Sequence, residues 1–230
     1  MSDNDLTKPD PSPRRSSRTE RIGIYGGTFS PVHSGHIRAA NCFLDCVGLD
    51  RLYMVPTALP PHKAAVDGAS DADRLEMLRL AIADDRAGKL EVSDWEISRH
   101  GKSYTVYTLE HFTKPERELY MLVGTDMFLT LDKWYRAADI FKLATITLMR
   151  REDDRSLDAV IDERRRCYAE DFGARIVVID RAPFEVSSTE LRRRISSGES
   201  LEGLIPDPVA GYIKKNRLYT NSYSRLQKSK

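Results

Sequence analysis

The sequence predicts an α/β domain with a doubly wound, mostly parallel sheet and helices on both faces. Short apolar runs of strand length alternate with segments that repeat apolar residues at helical spacing. The Gly, His and hydroxyl residues that could carry chemistry follow these strands directly, which is where ligands bind in such sheets. No apolar run approaches the roughly 20 residues that span a bilayer. These features are typical of a Rossmann-like architecture.

The elements are predicted from hydrophobic period and from end signals. Acidic residues in the first turn of the second helix suit the helix dipole, and Ser103 is expected to cap the third helix. The predicted strands cover residues 21–26, 51–55, 90–97, 119–123, 144–149 and 175–179. The predicted helices cover residues 36–47, 71–83, 103–111, segments up to 141, 157–172, a stretch beginning after 187, and 208–216.

Composition narrows the function and the organisation of the chain. The 36 Lys and Arg residues balance 35 acids among 230 residues, so neither nucleic acid nor a membrane is expected as a partner. Residues 1–19 are rich in proline and polar side chains and are predicted to be a disordered tail. Residues 20–219 are expected to form a single domain, and 220–230 a C-terminal tail. Three cysteines argue against a secreted disulfide framework and favour the reducing cytoplasm.

The first candidate site lies between the first strand and the first helix, in residues 23–36, GIYGGTFSPVHSGH. Gly26 and Gly27 are expected to let the backbone turn sharply and a ligand approach main-chain N–H groups. His33 and His36 are three residues apart at the start of the helix, where free N–H groups attract anions. This combination is suited to phosphoryl transfer.

The second candidate site follows the last strand. Ser187 and Glu190 have the spacing of a capping box, which predicts a helix start. Ser188, Thr189 and Arg192 add hydroxyls and a guanidinium to an N-terminus that already favours anions. Two phosphate cradles at opposite ends of the chain predict a nucleotide-binding protein.

These two segments resemble the nucleotidylyltransferases of the His-x-Gly-His type, in particular bacterial nicotinate-nucleotide adenylyltransferases, and the likeness runs from about Arg21 to Tyr219. The family pattern is Gly-Gly-Thr-Phe-Asp-Pro-x-His-x-Gly-His, and only Ser30 departs from it, standing where Asp or Asn is usual. Ser forms a similar turn more weakly. The resemblance implies one nucleotidylyltransferase domain.

The resemblance also assigns roles to residues elsewhere in the chain. A Pro-Pro-His-Lys loop, a Ser-Tyr-Thr-x-x-Thr-Leu segment, a Gly-x-Asp after a strand and a Trp-Tyr pair match the same family. It implies catalytic roles for His33, His36, Lys63 and Arg192. It implies ATP contacts from Gly26, Gly27, Thr28, Phe29, Gly124, Asp126, Arg150, Ser187, Ser188 and Thr189. It implies mononucleotide contacts from His62, Tyr104, Thr105, Thr108 and Trp134.

The activity implied by the resemblance is transfer of the adenylyl group of ATP to nicotinate mononucleotide by direct in-line displacement. Mg²⁺ would arrive on ATP, without a dedicated protein site. Alternatives are a preference for nicotinamide mononucleotide or phosphopantetheine, and a catalytically silent nucleotide sensor on the same fold. A P-loop at Gly101-Lys102-Ser103 lacks its first glycine, and a dinucleotide-dependent oxidoreductase would leave the histidine pair without a role. The sequence neither predicts nor excludes a homo-oligomer.

Overall fold

The computed structural model describes residues 18–58, 68–85, 87–99, 101–150, 155–180 and 186–220. Within them six strands form one sheet: β1 (Glu20–Gly27), β2 (Arg51–Pro56), β3 (Leu90–Val92), β4 (Arg117–Gly124), β5 (Ala144–Met149) and β6 (Ile176–Ile179). The strands are all parallel and lie in the order β3-β2-β1-β4-β5-β6. The predicted fold class is confirmed.

Helices cover both faces of this sheet. They are α1 (Ser34–Val47), α2 (Asp71–Ile82), α3 (Trp95–Ser98), α4 (Thr105–Phe112), α5 (Thr125–Phe128), α6 (Ala137–Leu143), α7 (Asp158–Phe172), α8 (Ser188–Ser197) and α9 (Asp207–Lys215). One apolar core packs α1, α2, α8 and α9 against one face, and a second packs α4, α6 and α7 against the other. Among the described residues, no helix has the length and apolar character needed to cross a bilayer.

The central strand β1 contributes apolar side chains to one core and a glycine, which has no side chain, to the other. Ile22 and Ile24 are buried in the core beneath α4 and α6. Gly23 faces the opposite core, where an added Cβ would lie 2.5 Å from Cδ1 of both Leu49 and Leu52. Glycine at this position therefore lets the helices on that side pack directly on the strand.

Two local predictions were wrong. Residues 90–97 do not form one strand, because the chain leaves the sheet at Ser93 and Asp94, and Asp94 caps the short helix α3. Ser103 does not cap the next helix, since its Oγ accepts a hydrogen bond from the Ala58 backbone N–H at 2.9 Å. Tyr104 occupies the N-cap position instead. At Ser103 a tertiary contact outweighs the local capping preference.

The predicted tails fall almost wholly outside the described residues, which begin at Arg18 and end at Thr220. Arg18 forms an exposed ion pair with Asp50 at 3.3 Å, and regular structure starts at Glu20. The tail predictions for residues 1–19 and 220–230 stay predictions.

Candidate active site

The site is organised by the carboxyl ends of β1 and β4, the two central strands. β1 pairs with β2 on one side and with β4 on the other. From β1 the strands follow in chain order to β3 in one direction, and from β4 to β6 in the other, so the strand order reverses between β1 and β4. A crevice opens at such a switch point in doubly wound sheets. Gly27 ends β1 and Gly124 ends β4, and α1 and α5 begin shortly after them.

His33 and His36 meet at the N-terminus of α1. Their ring centroids are 3.6 Å apart, and His33 occupies the N-cap position. The His33 backbone N–H donates to His36 Nδ1 at 3.2 Å. Because Nδ1 acts as an acceptor, the neutral His36 ring carries its proton on Nε2. The structure therefore gives His36 an Nε2–H donor at the start of α1, where the Ser34 N–H donates to the Leu204 carbonyl at 3.0 Å and the His36 N–H to the His33 carbonyl at 2.9 Å.

The sharp turn before α1 lies at Phe29 and not at the two glycines, which is a correction to the expectation from sequence. Phe29 is buried with φ at +47°, whereas Gly26 and Gly27 continue β1. An added Cβ on Gly27 would lie 2.9 Å from the Phe29 ring, and one on Gly26 would meet nothing within 4 Å. The Phe29 ring contacts the His36 ring edge to face, with centroids 5.0 Å apart. Left-handed backbone at a bulky residue is costly and clusters at functional sites.

The second motif starts α8 as predicted. Ser187 is the N-cap, and its Oγ accepts the Glu190 backbone N–H at 3.1 Å. The Glu190 carboxylate is bound by Arg193 and Arg194, each at 2.8 Å. These hydrogen bonds, that from Arg193 first, lower the pKa of Glu190 to about 2. The carboxylate therefore orders the exposed arginines of α8 and stays ionised at any physiological pH.

The two predicted phosphate-binding motifs touch each other although more than half of the chain separates them. Ser188 Oγ donates to the Pro31 carbonyl at 3.0 Å. Arg192 Nη1 donates to the Ser30 carbonyl at 2.7 Å, and its Nη2 donates to Thr189 Oγ1 at 3.1 Å. The α8 motif thus holds the backbone that leads into α1 and brings the two segments together.

The start of α4, with Tyr104 and Thr105, is joined to the segment that contains Trp134 through a ring contact of Tyr104 with Tyr135. Tyr104 caps α4, of which Thr105 is the first residue. The Tyr104 ring lies 4.6 Å from the ring of Tyr135, centroid to centroid. Trp134, the preceding residue, is partly buried against the core. Tyr135 was absent from the predicted site residues, although its place beside Trp134 is visible in the sequence.

Thr108 is engaged inside the protein by a residue that the sequence analysis missed. Its hydroxyl donates to Glu96 Oε1 at 2.5 Å, and both side chains are buried. The other carboxyl oxygen of Glu96, Oε2, is buried without a hydrogen-bond partner among the described residues. Burial raises the pKa of Glu96, while its hydrogen bonds with Ser103 and Thr108 act against this. Glu96 lies between Trp95 and Ile97, which is a weak sequence signal for a buried acid.

Arg150, Gly124 and Asp126 follow the ends of β4 and β5. Gly124 caps α5, and Asp126 is exposed in its first turn. Arg150 is buried and forms ion pairs with Asp158 and with Asp180, the latter at 3.9 Å. Its guanidinium is therefore engaged by two carboxylates at this edge of the sheet.

A second residue missed by the sequence analysis is Arg74 of α2, whose side chain is fully buried. Its Nη1 donates to the Thr28 carbonyl at 2.8 Å, and its Nη2 pairs with Asp71 at 2.6 Å. An arginine beside apolar residues on a helix is a weak signal, so its contact with the loop could not be predicted. His62 and Lys63 lie outside the described residues.

Comparisons with known proteins agree with this arrangement. The chain matches the family model described as cytidylyltransferase-like over residues 24–194. It is 38% identical over 216 residues to a probable nicotinate-nucleotide adenylyltransferase of Synechococcus sp. (strain JA-3-3Ab), covering 93% of this chain and 99% of the relative. A relative with the same name from Desulfatibacillum aliphaticivorans is 38% identical over 225 residues, covering 86% and 99%. The solved Plasmodium falciparum nicotinic acid mononucleotide adenylyltransferase complexed with NaAD superposes with a TM-score of 0.69 over 87% of this chain and 97% of that chain; at 18% identity this likeness concerns the fold.

Proposed function

Because this chain belongs to the nicotinate-nucleotide adenylyltransferase family, within the cytidylyltransferase-like group, we propose that it transfers the adenylyl group of ATP to nicotinate mononucleotide. The products are nicotinate adenine dinucleotide and pyrophosphate. The names of the curated relatives and the NaAD complex of the structural neighbour support this choice of substrates. Three cysteines that form no disulfide within the described chain support a reducing, cytoplasmic setting.

The observation that carries the proposal is the junction of the two phosphate-binding motifs. Arg192 and Ser188 of α8 hold the Ser30 and Pro31 carbonyls, which brings the two segments together. A nucleoside triphosphate brings several negative charges, and two helix starts with an arginine offer donors to them from two sides.

In the proposed mechanism a 5′-phosphate oxygen of the mononucleotide attacks the α-phosphorus of Mg·ATP in line, and pyrophosphate leaves. His36 Nε2 donates a hydrogen bond to a non-bridging oxygen of the α-phosphoryl group as charge develops on it. His33 stands beside it, and Arg192 and Lys63 balance the charge of the leaving pyrophosphate. Positioning the two anions supplies most of the acceleration, for which good orientation is worth about 7–11 kcal/mol. No enzyme nucleophile takes part.

The start of α4 supports a preference for nicotinate over nicotinamide mononucleotide. Tyr104 caps this helix, so the N–H groups of Thr105 and Val106 have no carbonyl partner within the helix, whereas the Tyr107 N–H donates to the Tyr104 carbonyl at 3.0 Å. Such donors favour a carboxylate, which only accepts hydrogen bonds, and the helix dipole adds to the preference. An amide would leave a donor facing donors, at about 1–3 kcal/mol per mismatched group. We expect kcat/KM to favour nicotinate mononucleotide by at least about tenfold.

The decisive experiment measures pyrophosphate release from Mg·ATP with nicotinate mononucleotide, nicotinamide mononucleotide and phosphopantetheine in parallel. Turnover highest with nicotinate mononucleotide supports the proposal. Equal kcat/KM for the two pyridine mononucleotides would refute the role of α4 in selectivity, and turnover with none of the three would refute the enzyme activity in favour of a silent sensor. Chiral ATP with sulfur on the α-phosphorus tests the mechanism separately, because a single in-line displacement inverts its configuration. Retention would require a covalent intermediate.

A further inference from the structure

A tyrosine near the end of the described chain is bound to the nucleotide loop. The hydroxyl of Tyr219 lies 2.9 Å from Ser30 Oγ, and either atom can donate. Both side chains are almost completely buried, with 2% and 1% of their surface exposed. Tyr219 lies beyond α9 and follows Ser30 by 189 residues. A buried hydrogen bond has no water to replace it, so losing one partner leaves the other unsatisfied.

The backbone around Tyr219 is shaped to bring its ring to this place. Tyr219 has φ at +62°, and its N–H points to the Gly68 carbonyl at 3.4 Å. Gly68 has φ at +95°, and an added Cβ there would lie 2.6 Å from Cδ1 of the Tyr219 ring. Left-handed backbone at a tyrosine persists only where the surroundings over-determine it. The ring is therefore held by packing, independently of its hydroxyl.

Ser30 connects this tyrosine to the second phosphate-binding motif. Its side chain meets Tyr219, and its carbonyl accepts Arg192 Nη1 at 2.7 Å. A serine stabilises a turn more weakly than Asp or Asn, so the loop gains from an outside partner. The preceding residue, Phe29, has left-handed backbone and packs on His36, so a shift at Ser30 passes directly to the histidine.

We propose that Tyr219 is a positioning residue for adenylyl transfer: its hydroxyl fixes Ser30, and through Ser30 the loop that carries the Arg192 contact and leads to His36. The inference rests on the proposed function, in which this loop binds ATP. Tyr219 itself contacts no substrate in this scheme. Removing its hydroxyl should therefore weaken ATP binding and slow the chemical step, and leave binding of the mononucleotide almost unchanged.

Burial supports a positioning role over a proton-transfer role. It raises the pKa of Tyr219 to about 12, although the bond with Ser30 and the charges of Arg192 and Arg74 act against the shift and Asp73 adds to it. The hydroxyl therefore keeps its proton throughout the neutral range. The ratio of variant to parent kcat/KM should stay constant between about pH 6 and pH 9.

The test uses Tyr219→Phe, Ser30→Ala and the double variant in the full chain. Tyr212→Phe is the matched control, because Tyr212 lies on α9 and its hydroxyl binds Asp73 of α2 at 3.0 Å instead of Ser30. We expect each single change at the pair to lower kcat/KM for ATP, and to weaken binding of a non-hydrolysable ATP analogue, by at least about fivefold. The kcat/KM for ATP of the double variant should lie no more than about twofold below that of the less active single variant. KM for the mononucleotide and all parameters of Tyr212→Phe should stay within about twofold of the parent.

Several results would overturn the proposal. If Tyr219→Phe loses thermal stability but keeps its kcat/KM for ATP and its affinity for the analogue, the Tyr219–Ser30 hydrogen bond only stabilises the fold. Additive losses in the double variant would show that Tyr219 and Ser30 act separately. If Tyr219→Phe does not fold, Ser30→Ala decides alone, and an unchanged kcat/KM for ATP would then refute the inference. Absence of turnover in the parent chain would count against the proposed function, whereas analogue binding would still test Tyr219.

Discussion

We expect His36→Asn to lower kcat for adenylyl transfer by about 10²- to 10³-fold while the protein stays folded. His36 makes two kinds of contact through its two ring nitrogens. Nδ1 accepts the His33 backbone N–H at 3.2 Å and so caps α1, which leaves Nε2 as the donor. The Oδ1 of asparagine reaches about the position of Nδ1, so this variant keeps the cap and removes only the Nε2 donor.

Two related substitutions, His36→Ala and His36→Gln, separate the contribution of Nε2 to catalysis from the contribution of the helix cap to folding. The lost Nε2 donor corresponds to about 2.7–4 kcal/mol of transition-state stabilisation. The cap contributes about 1 kcal/mol to folding, which shifts Tm by about 2–4 °C in a chain of this size. His36→Ala loses both and should show both effects. His36→Gln places a donor near the Nε2 position and loses the cap, so it should keep more activity than His36→Asn but less stability.

The assay measures kcat from pyrophosphate release at saturating Mg·ATP and nicotinate mononucleotide, and Tm by calorimetry, for all three variants. A folded His36→Asn protein with near-native kcat would refute the role of Nε2. If His36→Ala and His36→Gln lose kcat together with Tm while His36→Asn keeps both, then capping, and not donation to the phosphoryl group, explains the effect of His36.

Four further outcomes are expected. Gly23→Ala should lower Tm by several degrees in calorimetry, because its Cβ would lie 2.5 Å from Leu49 Cδ1 and such overpacking costs about 1–3 kcal/mol. Burial raises the pKa of Glu96, so the stability that its carboxyl group contributes falls as pH rises through the folded pKa. The Tm of Glu96→Gln relative to that of the parent should therefore increase between about pH 5 and pH 8. A Tm difference that stays constant over this range would contradict the prediction. Trp134→Ala should raise KM for both pyridine mononucleotides and leave their kcat/KM ratio within about twofold, since both present the same ring face. A chain that lacks residues 1–17 should keep its activity and a Tm within about two degrees, because that segment has few apolar side chains; a larger loss of either would show that the segment docks on the domain.

The sequence predicted best those features that depend on hydrophobic period and on the spacing of residues close together in the chain. Five of the six strands and the starts of α2 and α8 follow from apolar runs, from first-turn acids and from the cap at Ser187, which depend on near neighbours. The His33–His36 contact is also local, because residues three apart share a helix face. The error at residues 90–97 arose because β3 ends at Val92 and α3 begins at Trp95, and a three-residue strand and one turn of helix leave too little periodic signal.

The supporting residues could not be predicted, because their partners are distant in the sequence. Arg74, Glu96 and Tyr219 each act on a site residue from another element, and nothing in their own neighbourhood indicates which. Such contacts depend on the strand order and on which helix packs on which face. A single sequence gives the class of the sheet more readily than it gives these pairings.

Arg192 illustrates why the two motifs must be considered together. Its guanidinium has five N–H donors, and the Ser30 carbonyl and Thr189 hydroxyl each take one in the structure. In the proposed function the remaining donors bind a phosphate while these two contacts persist, so the same side chain orders the backbone before α1 and supplies positive charge to the ligand. A lysine would keep the charge but, as a point donor on a flexible stem, could not hold both positions. The kinetic effect of replacing Arg192 therefore combines a lost phosphate contact with a displaced His36, and it should not be assigned to either one alone.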